Sequence, residues 1–200
     1  MPQFGEYPQI LEYTLEHFKK VIMNPTPTFS IVASKRWTDE FLDWSKGLDN
    51  RPRKMKINKG WEVLKPGEAK GKLVGGDLTT LETLIGTEYL PTFKNSLFFW
   101  EAIETSTAEI DRSLTHLKLS GIFDQINGMI VGRLARDVKI SDKNNSLEKI
   151  ILDLTEEYDF PIMTELDFGH TDPMMTIPIG IKSLMLTSER KLILQGQAVI

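Results

Sequence analysis

The sequence has no cysteine among its 200 residues. This absence excludes thiolate catalysis, disulfide bonds and zinc sites ligated by cysteine. No apolar run approaches the roughly 18 residues that a membrane-spanning helix needs. The N-terminal residues MPQFGEYPQ also lack the basic start and the apolar core of a signal peptide. We therefore expect a cytoplasmic protein with no membrane partner.

Positive charge is not in excess either, since 24 lysines and arginines stand against 28 aspartates and glutamates, which gives a net charge of -4. A nucleic-acid-binding face needs a basic patch or stripe. The one basic cluster, RPRKMKINK at 51–59, is short and lies beside polar residues, so a solvated loop explains it. We expect no nucleic-acid partner. The composition, 40% hydrophobic and 26% charged, is typical of a globular domain.

An amphipathic helix is predicted over residues 6–23, with charged side chains on the face opposite an apolar stripe. The apolar side chains at helical spacing are Leu11, Leu15, Phe18 and Ile22. The sequence Asn-Pro-Thr-Pro at 24–27 ends the pattern. Such a stripe requires a covering surface, so we expect either another domain or a homodimer to bury it.

Residues 35–70 show little regular pattern, although the β-prone run FSIVAS precedes them. A loop this long is usually functional or disordered, and the aromatic content argues against disorder. Three of the four tryptophans fall here, at Trp37, Trp44 and Trp61. Trp44 lies among polar residues and can stack on a planar ligand, although core packing is the commoner fate of tryptophan.

From residue 72 onward, strand and helix patterns alternate. The predicted strands are KLVGG, SLFFWEA, INGMIVGRL and FPIMTEL, and the tail KSLMLTSERKLIL predicts two more about a turn. The helices between them are DLTTLETLIG, a segment that opens with the capping box of Ser106 and Glu109, and SLEKIILDLTEEY. This alternation predicts an α/β fold with a mostly parallel sheet.

Two ionisable side chains follow predicted strands, where α/β proteins gather functional groups. Glu101 closes SLFFW, and His170 lies in the turn GHTDP after TELDFG. If the two meet, Glu101 accepts a hydrogen bond from the imidazole and fixes its tautomer, as the acid of a Ser-His-acid triad does. The alternatives are a solvated edge carboxylate at Glu101 and an ordinary loop histidine, with Asp172 stabilising its turn.

Two other site hypotheses carry less weight. Asp167, His170 and Asp172 have the donor types of a divalent metal site, but their spacing matches no strong metal signature and turn hydrogen bonds explain the aspartates. We expect no metal and no cofactor. The pair Gly75-Gly76 before Asp77, a predicted N-cap, offers backbone N–H groups to an anion, yet any strand-to-helix turn needs such residues.

Taken together and in order, the segments GKLVGGDLTTLETLIGTEYLP, SLFFWEAIE, IDRSLTHLKLSGIFDQINGMIVGRL and FPIMTELDFGHTDPMMTIPIG resemble the C-terminal half of the LD-carboxypeptidase family of serine peptidases. The segment WTDEFLDW and the GHTDP turn are most similar to the microcin C immunity branch. Murein tetrapeptide carboxypeptidases are a more distant comparison. The resemblance implies a swivelling β/β/α domain at 28–200, which a connecting helix at 1–27 joins to an N-terminal domain.

The resemblance also implies a Ser-Glu-His triad that hydrolyses an amide bond next to a free carboxylate. His170 then corresponds to the general base and Glu101 to the acid that orients it. Gly76 and Asp77 occupy the family's Gly-Gly-Asn turn, which contacts substrate, and an acid in place of asparagine predicts repulsion of a substrate carboxylate. Trp44 is the best match for the aromatic loop that stacks on the nucleotide of a peptidyl- or aminoacyl-adenylate.

The family's nucleophile is a serine in a G-Y-S-D-like turn of the N-terminal domain, and no serine of this chain has such surroundings. The resemblance therefore predicts a half-site that supplies Glu101 and His170 and is inactive alone. Its partners are the N-terminal domain and a substrate, which is either a peptidyl- or aminoacyl-nucleotide or a murein peptide. The alternative is a non-catalytic remnant or interaction module with the same fold.

Overall fold

The computed structural model describes residues 5, 7–23, 28–135, 138–139 and 146–199. The helices are α1 (Glu12–Phe18), α2 (Leu78–Thr83), α3 (Thr107–Leu119) and α4 (Leu147–Leu154). A π-helical turn, Lys19–Met23, extends α1, and a 3-10 turn covers Trp44–Lys46. None of the described helices is long and apolar enough to cross a bilayer.

Side-chain caps begin three of these helices. Asp77, Ser106 and Ser146 each accept a hydrogen bond from the backbone N–H three residues further on, at the starts of α2, α3 and α4. Such a cap satisfies one of the N–H groups that the first turn leaves without an intrahelical partner. The local sequence therefore fixes where these helices begin.

Ten strands are described in the structure. They are β1 (Thr28–Ile31), β2 (Arg36–Trp37), β3 (Lys56–Ile57), β4 (Glu62–Lys65), β5 (Glu68–Asp77), β6 (Ser96–Glu101), β7 (Ile126–Gly132), β8 (Ile162–Leu166), β9 (Lys182–Leu186) and β10 (Lys191–Gln195). Eight of them form one sheet in the order β1-β10-β9-β5-β6-β7-β8-β4, and β2 pairs with β3 separately.

The centre of the large sheet is parallel. Strands β5, β6, β7 and β8 lie side by side in the same direction, because helices α2, α3 and α4 connect them. The edges are antiparallel. On one side β4 pairs with β8, and on the other β9 pairs with β5, β10 with β9 and β1 with β10. The predicted α/β class is confirmed, and the carboxyl ends of the four central strands meet at one edge.

Strand β6 is the centre of the hydrophobic core, and all six of its residues are buried. Phe98 and Trp100 pack on the face covered by α2, α3 and α4. Leu97 and Phe99 pack on the opposite face, with Val21 from the π-helical turn after α1. Because successive side chains of a strand point to opposite faces, a strand covered on both faces reads as a continuous apolar run.

The segment 35–70 is more regular than the sequence predicted. Its second half contains β4 and the first residues of β5, which begins at Glu68 rather than at residue 72. Trp61, just before β4, is buried in the core. The run WEVLK is too short to show strand periodicity, and its pairing with β8 is a long-range contact that local sequence does not encode.

The N-terminal helix is shorter than the predicted range 6–23 and buries a different face. Its buried residues are Thr14, His17 and Val21. The predicted stripe of Leu11, Leu15, Phe18 and Ile22 is partly exposed, and Ile22 is 37% exposed. On the covered face, the Thr14 hydroxyl accepts a hydrogen bond from the backbone N–H of Met174 at 3.0 Å, and Val21 packs in the hydrophobic core.

Three expectations about this region stay predictions. They are the division at residue 28, a homodimer through the exposed stripe, and the covering of that stripe by another domain. The predicted helix stop at 24–27 lies outside the described residues.

The buried imidazole of His17 predicts a pH dependence of stability. The ring packs edge-on against Tyr13 and Phe29, with centroids 3.9 and 5.1 Å away. Burial lowers its pKa to about 4. The unfolded chain binds the proton more tightly, so this residue costs no free energy of unfolding above pH 6.5. As the pH drops from 6.5 towards 4, protonation of the unfolded chain lowers the free energy of unfolding by about 3 kcal/mol. Urea unfolding of wild type and His17→Leu between pH 4 and 8 measures the difference.

The exposed His116, beside Glu82, provides the control. His116→Gln should retain the acid-dependent loss, because the buried imidazole is unchanged. A His17→Leu variant whose stability falls with acid as steeply as that of wild type would contradict this account.

Candidate functional site

Glu101 and His170 meet at the carboxyl edge of the parallel strands. Glu101 is the last residue of β6, and His170 lies in the turn that follows β8. The Nδ1 atom of His170 is 2.9 Å from Oε2 of Glu101. The Glu101 side chain is only 11% exposed, whereas that of His170 is 46% exposed. An Nδ1–H that donates to the carboxylate leaves Nε2 facing outward as a proton acceptor.

Gly169 explains how the turn approaches Glu101 so closely. Its φ of +99° is in the left-handed region that favours glycine. A Cβ built at this position would lie 2.9 Å from Oε2 of Glu101 and 3.0 Å from its Cβ. The backbone before His170 therefore passes directly over the carboxylate, and a larger residue there would separate the two side chains.

The turn at Gly75-Gly76-Asp77 ends β5, the strand next to β6, and Asp77 is the register partner of Glu101. The two glycines have different surroundings. A Cβ at Gly75 would lie 1.7 Å from the backbone oxygen of Phe99, whereas a Cβ at Gly76 would have no atom within 4 Å. Gly75 is therefore required for strand packing, and Gly76 leaves an open approach to the backbone.

Asp77 is the N-cap of α2. Its Oδ1 accepts hydrogen bonds from the Thr79 hydroxyl at 2.6 Å and from the backbone N–H and hydroxyl of Thr80, both at 2.8 Å. Burial opposes ionisation of the carboxyl, but these hydrogen bonds, helped by the nearby His170, outweigh it and lower the pKa of Asp77. A negative charge thus lies beside the histidine, and the predicted substrate contact of Asp77 stays a prediction.

A cavity of about 500 Å³ opens next to His170. Its lining residues are Asp77, Thr79, Thr80, Glu82, Ile103, Glu104, Thr105, Glu109, Arg112 and His170. The hydroxyls among them already donate to carboxylates, those of Thr79 and Thr80 to Asp77 and that of Thr105 to Glu109. Within the described part of the chain, no serine lines this cavity beside the histidine.

Trp44 projects from the 3-10 turn and is 71% exposed. Asp43 caps this turn by accepting hydrogen bonds from the backbone N–H and the hydroxyl of Ser45, and Gly47 closes it in the left-handed conformation. Trp61, by contrast, is buried, and its Nε1–H donates to Asp167 at 2.8 Å. The turn therefore presents an indole face to solvent, as a stacking platform requires.

The sequence reasoning missed a buried polar cluster behind the histidine. Arg133 follows β7 directly, and its guanidinium donates to Glu165 at 2.9 Å and to Asp167 at 3.1 Å. The same guanidinium lies over the ring of Trp37, 4.6 Å from its centroid. The one available signal was an arginine placed directly after the apolar run INGMIVG, because a charge that ends a buried strand needs partners.

The carboxylates of Asp167 and Asp172, considered from the sequence as metal ligands with His170, both accept hydrogen bonds from protein donors. Asp167 is bonded to Arg133 and Asp172 to Arg53. Across the described residues, no group of three or more histidine, cysteine or acidic side chains is arranged to hold a metal ion.

The two glycines before Asp77 give a matched stability test. Gly75→Ala should cost about 3 kcal/mol or more, because its methyl group would overlap the carbonyl of Phe99. Gly76→Ala should cost no more than about 1 kcal/mol, because its methyl group points into open space. Urea unfolding measures both, and equal losses would contradict the described geometry.

Comparisons with known proteins agree with this architecture. A family model for the LD-carboxypeptidase C-terminal domain matches residues 70–185. The microcin C7 self-immunity protein MccF of Escherichia coli is 29% identical over 184 residues, which cover 91% of this chain and 53% of that protein. The chain thus spans about half the length of this curated relative.

Solved structures extend the similarity over the whole chain. MccF in complex with glutamyl sulfamoyl guanosine superposes with a TM-score of 0.89 at 25% identity, covering 100% of this chain and 59% of that one. MccF in complex with aspartyl sulfamoyl adenosine gives a TM-score of 0.88 at 25% identity, with the same coverage. Because the superposition covers the whole chain, the structural similarity includes α1 and the segment that carries Trp44, which lie outside residues 70–185.

Proposed function

Because the chain belongs to the LD-carboxypeptidase family through that family's C-terminal domain, we propose that it supplies the base and the acid of a serine carboxypeptidase. The observation that carries this proposal is the hydrogen bond of 2.9 Å between His170 Nδ1 and Glu101 Oε2 beside an open cavity. The nucleophilic serine then comes from polypeptide outside these 200 residues, which is consistent with the share of the relative that the chain covers.

In this mechanism, Nε2 of His170 takes the proton of the serine hydroxyl as that oxygen attacks the carbonyl carbon of the scissile amide. Glu101 holds the ring in the required tautomer and stabilises the imidazolium that forms. The imidazolium next protonates the leaving amine. A water molecule then attacks the acyl-enzyme while His170 takes its proton, and His170 returns that proton to the serine oxygen as the acid product leaves. Because Glu101 is largely buried, its interaction with the imidazolium is weakly screened by solvent.

For the substrate, we favour a peptidyl- or aminoacyl-nucleotide over a murein peptide. The exposed indole of Trp44 is suited to stacking on a nucleobase, which a murein peptide lacks. The MccF structures hold an amino acid joined through a sulfamoyl group to guanosine or adenosine. In this proposal the backbone at Gly76 contacts the acyl part, with Asp77 beside it, and the open space at Gly76 supports this contact.

Substitution of Trp44 tests the stacking role. Trp44→Ala should weaken binding of adenosine monophosphate about tenfold, because base stacking on an aromatic side chain contributes roughly 1–3 kcal/mol. Trp44→Phe keeps a ring and should lose less. Calorimetric titration measures the affinity, and urea unfolding should show both variants within about 0.5 kcal/mol of wild type. Equal affinity for all three proteins would contradict the stacking role of Trp44 and favour the murein-peptide substrate.

Hydrolysis requires the second half of the site. We expect the chain alone to release no glutamate from glutamyl sulfamoyl adenosine above background, because it brings neither the nucleophile nor the oxyanion donors opposite His170. A mixture with a separately prepared N-terminal half of E. coli MccF should release glutamate if the halves dock. The assay is chromatographic detection of the free amino acid.

His170→Ala in the same mixture is the control and should abolish release, while Glu101→Gln should reduce it. Turnover by the chain alone would overturn the half-site and require a nucleophile within the 200 residues. A mixture that docks but never hydrolyses would instead support the non-catalytic module. The cytoplasmic location stays a prediction.

A further inference from the structure

We propose that Arg53 and Asp172 are positioning residues that couple the platform loop to the histidine turn. The platform loop is defined as residues 38–54, which carry Trp44, and the histidine turn as residues 169–173, which carry His170. The proposal rests on the proposed function for the roles of Trp44 and His170. It adds that the nucleotide platform and the general base are held as one unit.

The first link is between backbones. Thr38 and Asp172 exchange two hydrogen bonds, with Thr38 N–H donating at 2.7 Å and Asp172 N–H donating at 2.9 Å. Both residues are buried. Asp172 is two residues from His170, and Thr38 begins the platform loop. The start of the loop is therefore paired directly with the turn that carries the histidine.

The second link is an ion pair at the other end of the loop. Arg53 donates through Nη1 to Oδ2 of Asp172 at 2.9 Å, and the two side chains are only 14% and 9% exposed. Removing one partner of a buried pair leaves an uncompensated charge, so this contact is costly to break. Asp172 therefore holds both ends of the platform loop, one through its backbone and one through its carboxylate.

A further set of contacts closes the base of the loop. The Glu40 carboxylate accepts from Arg51 at 2.8 and 3.2 Å and from the backbone N–H of Lys54 at 2.7 Å. The hydrogen bond from Arg51 is the main reason that the pKa of Glu40 falls to about 2. Residues on both sides of Trp44 are thus tied to each other, and the indole stands at the exposed end of a closed loop.

The histidine turn is also anchored on its other side. Asp167, three residues before His170, accepts from Ser34 at 2.7 and 3.0 Å and from Asn58 at 3.2 Å. These two donors flank the platform loop in sequence. His170 consequently lies between two aspartates, and both of them bind the segment that carries Trp44. Asp172 thus binds the platform loop itself, and Asp167 binds the residues that flank it.

The test uses the 200-residue chain without any substrate, and it follows the imidazole nitrogens of His170 by NMR. The nitrogen shifts report which nitrogen carries the proton, and His170→Ala identifies the signals. Wild type should show Nδ1 protonated and hydrogen-bonded to Glu101. Arg53→Met should move these signals towards those of a free imidazole, and Arg53→Lys should restore part of the wild-type pattern.

Lys56→Met is the matched control. Lys56 also lies in the segment before β4 and pairs with Asp39 at 2.7 Å, but its side chain is half exposed and it is not a partner of Asp172. This variant should leave the His170 signals unchanged. A purely structural role for Arg53 would lower the stability of Arg53→Met and leave its His170 tautomer and hydrogen bond to Glu101 as in wild type, and that result would overturn the proposal.

If Arg53→Met does not fold, Asp172→Asn gives the same readout, because it removes the charge and keeps the backbone pair with Thr38. Wild-type His170 signals in that variant would equally overturn the proposal. The outcome is separable from that of the proposed function, because the measurement involves no hydrolysis. If the mixture with the N-terminal half shows no turnover, the NMR result still stands. If the mixture is active but the His170 signals are unchanged in Arg53→Met, only the positioning role is excluded.

Discussion

The fully buried carboxylate of Asp167 accepts hydrogen bonds from Ser34, Asn58, Trp61 and Arg133, which come from three separate parts of the chain. A charge with no access to water is stable only when donors surround it, and loss of one donor leaves part of that charge uncompensated. The strand β8, the end of β7 and the long aromatic segment are therefore held together at one point, from which the histidine turn starts.

The candidate site combines this anchored turn with the most buried strand of the sheet. Glu101 cannot move far, because every residue of β6 is packed between two hydrophobic layers. His170 reaches it because Gly169 lets the turn pass over the carboxylate. The geometry of the pair is thus fixed by packing on one side and by buried hydrogen bonds on the other, which is the preorganisation that proton transfer requires.

Much of the fold and part of the site follow from local sequence. The caps at Asp77 and Ser106, the apolar run of β6 and the alternation of strands and helices predicted the α/β class correctly. Strand order also places Glu101 and His170 at one edge. The face buried by α1, the strand β4 and the partners of Arg133 were not predictable, because each depends on contacts between residues far apart in sequence.

By itself, the sequence determined most elements after residue 72, the family resemblance and the identity of a candidate acid and base, because periodicity, capping and motifs are local properties. Only the tertiary structure decided that Trp44 is exposed while Trp61 is buried, and that Asp167 and Asp172 bind the aromatic segment rather than serve their own turns. The physical reason is that burial and ion pairing depend on which segments meet in space, and the pattern of one segment does not encode that.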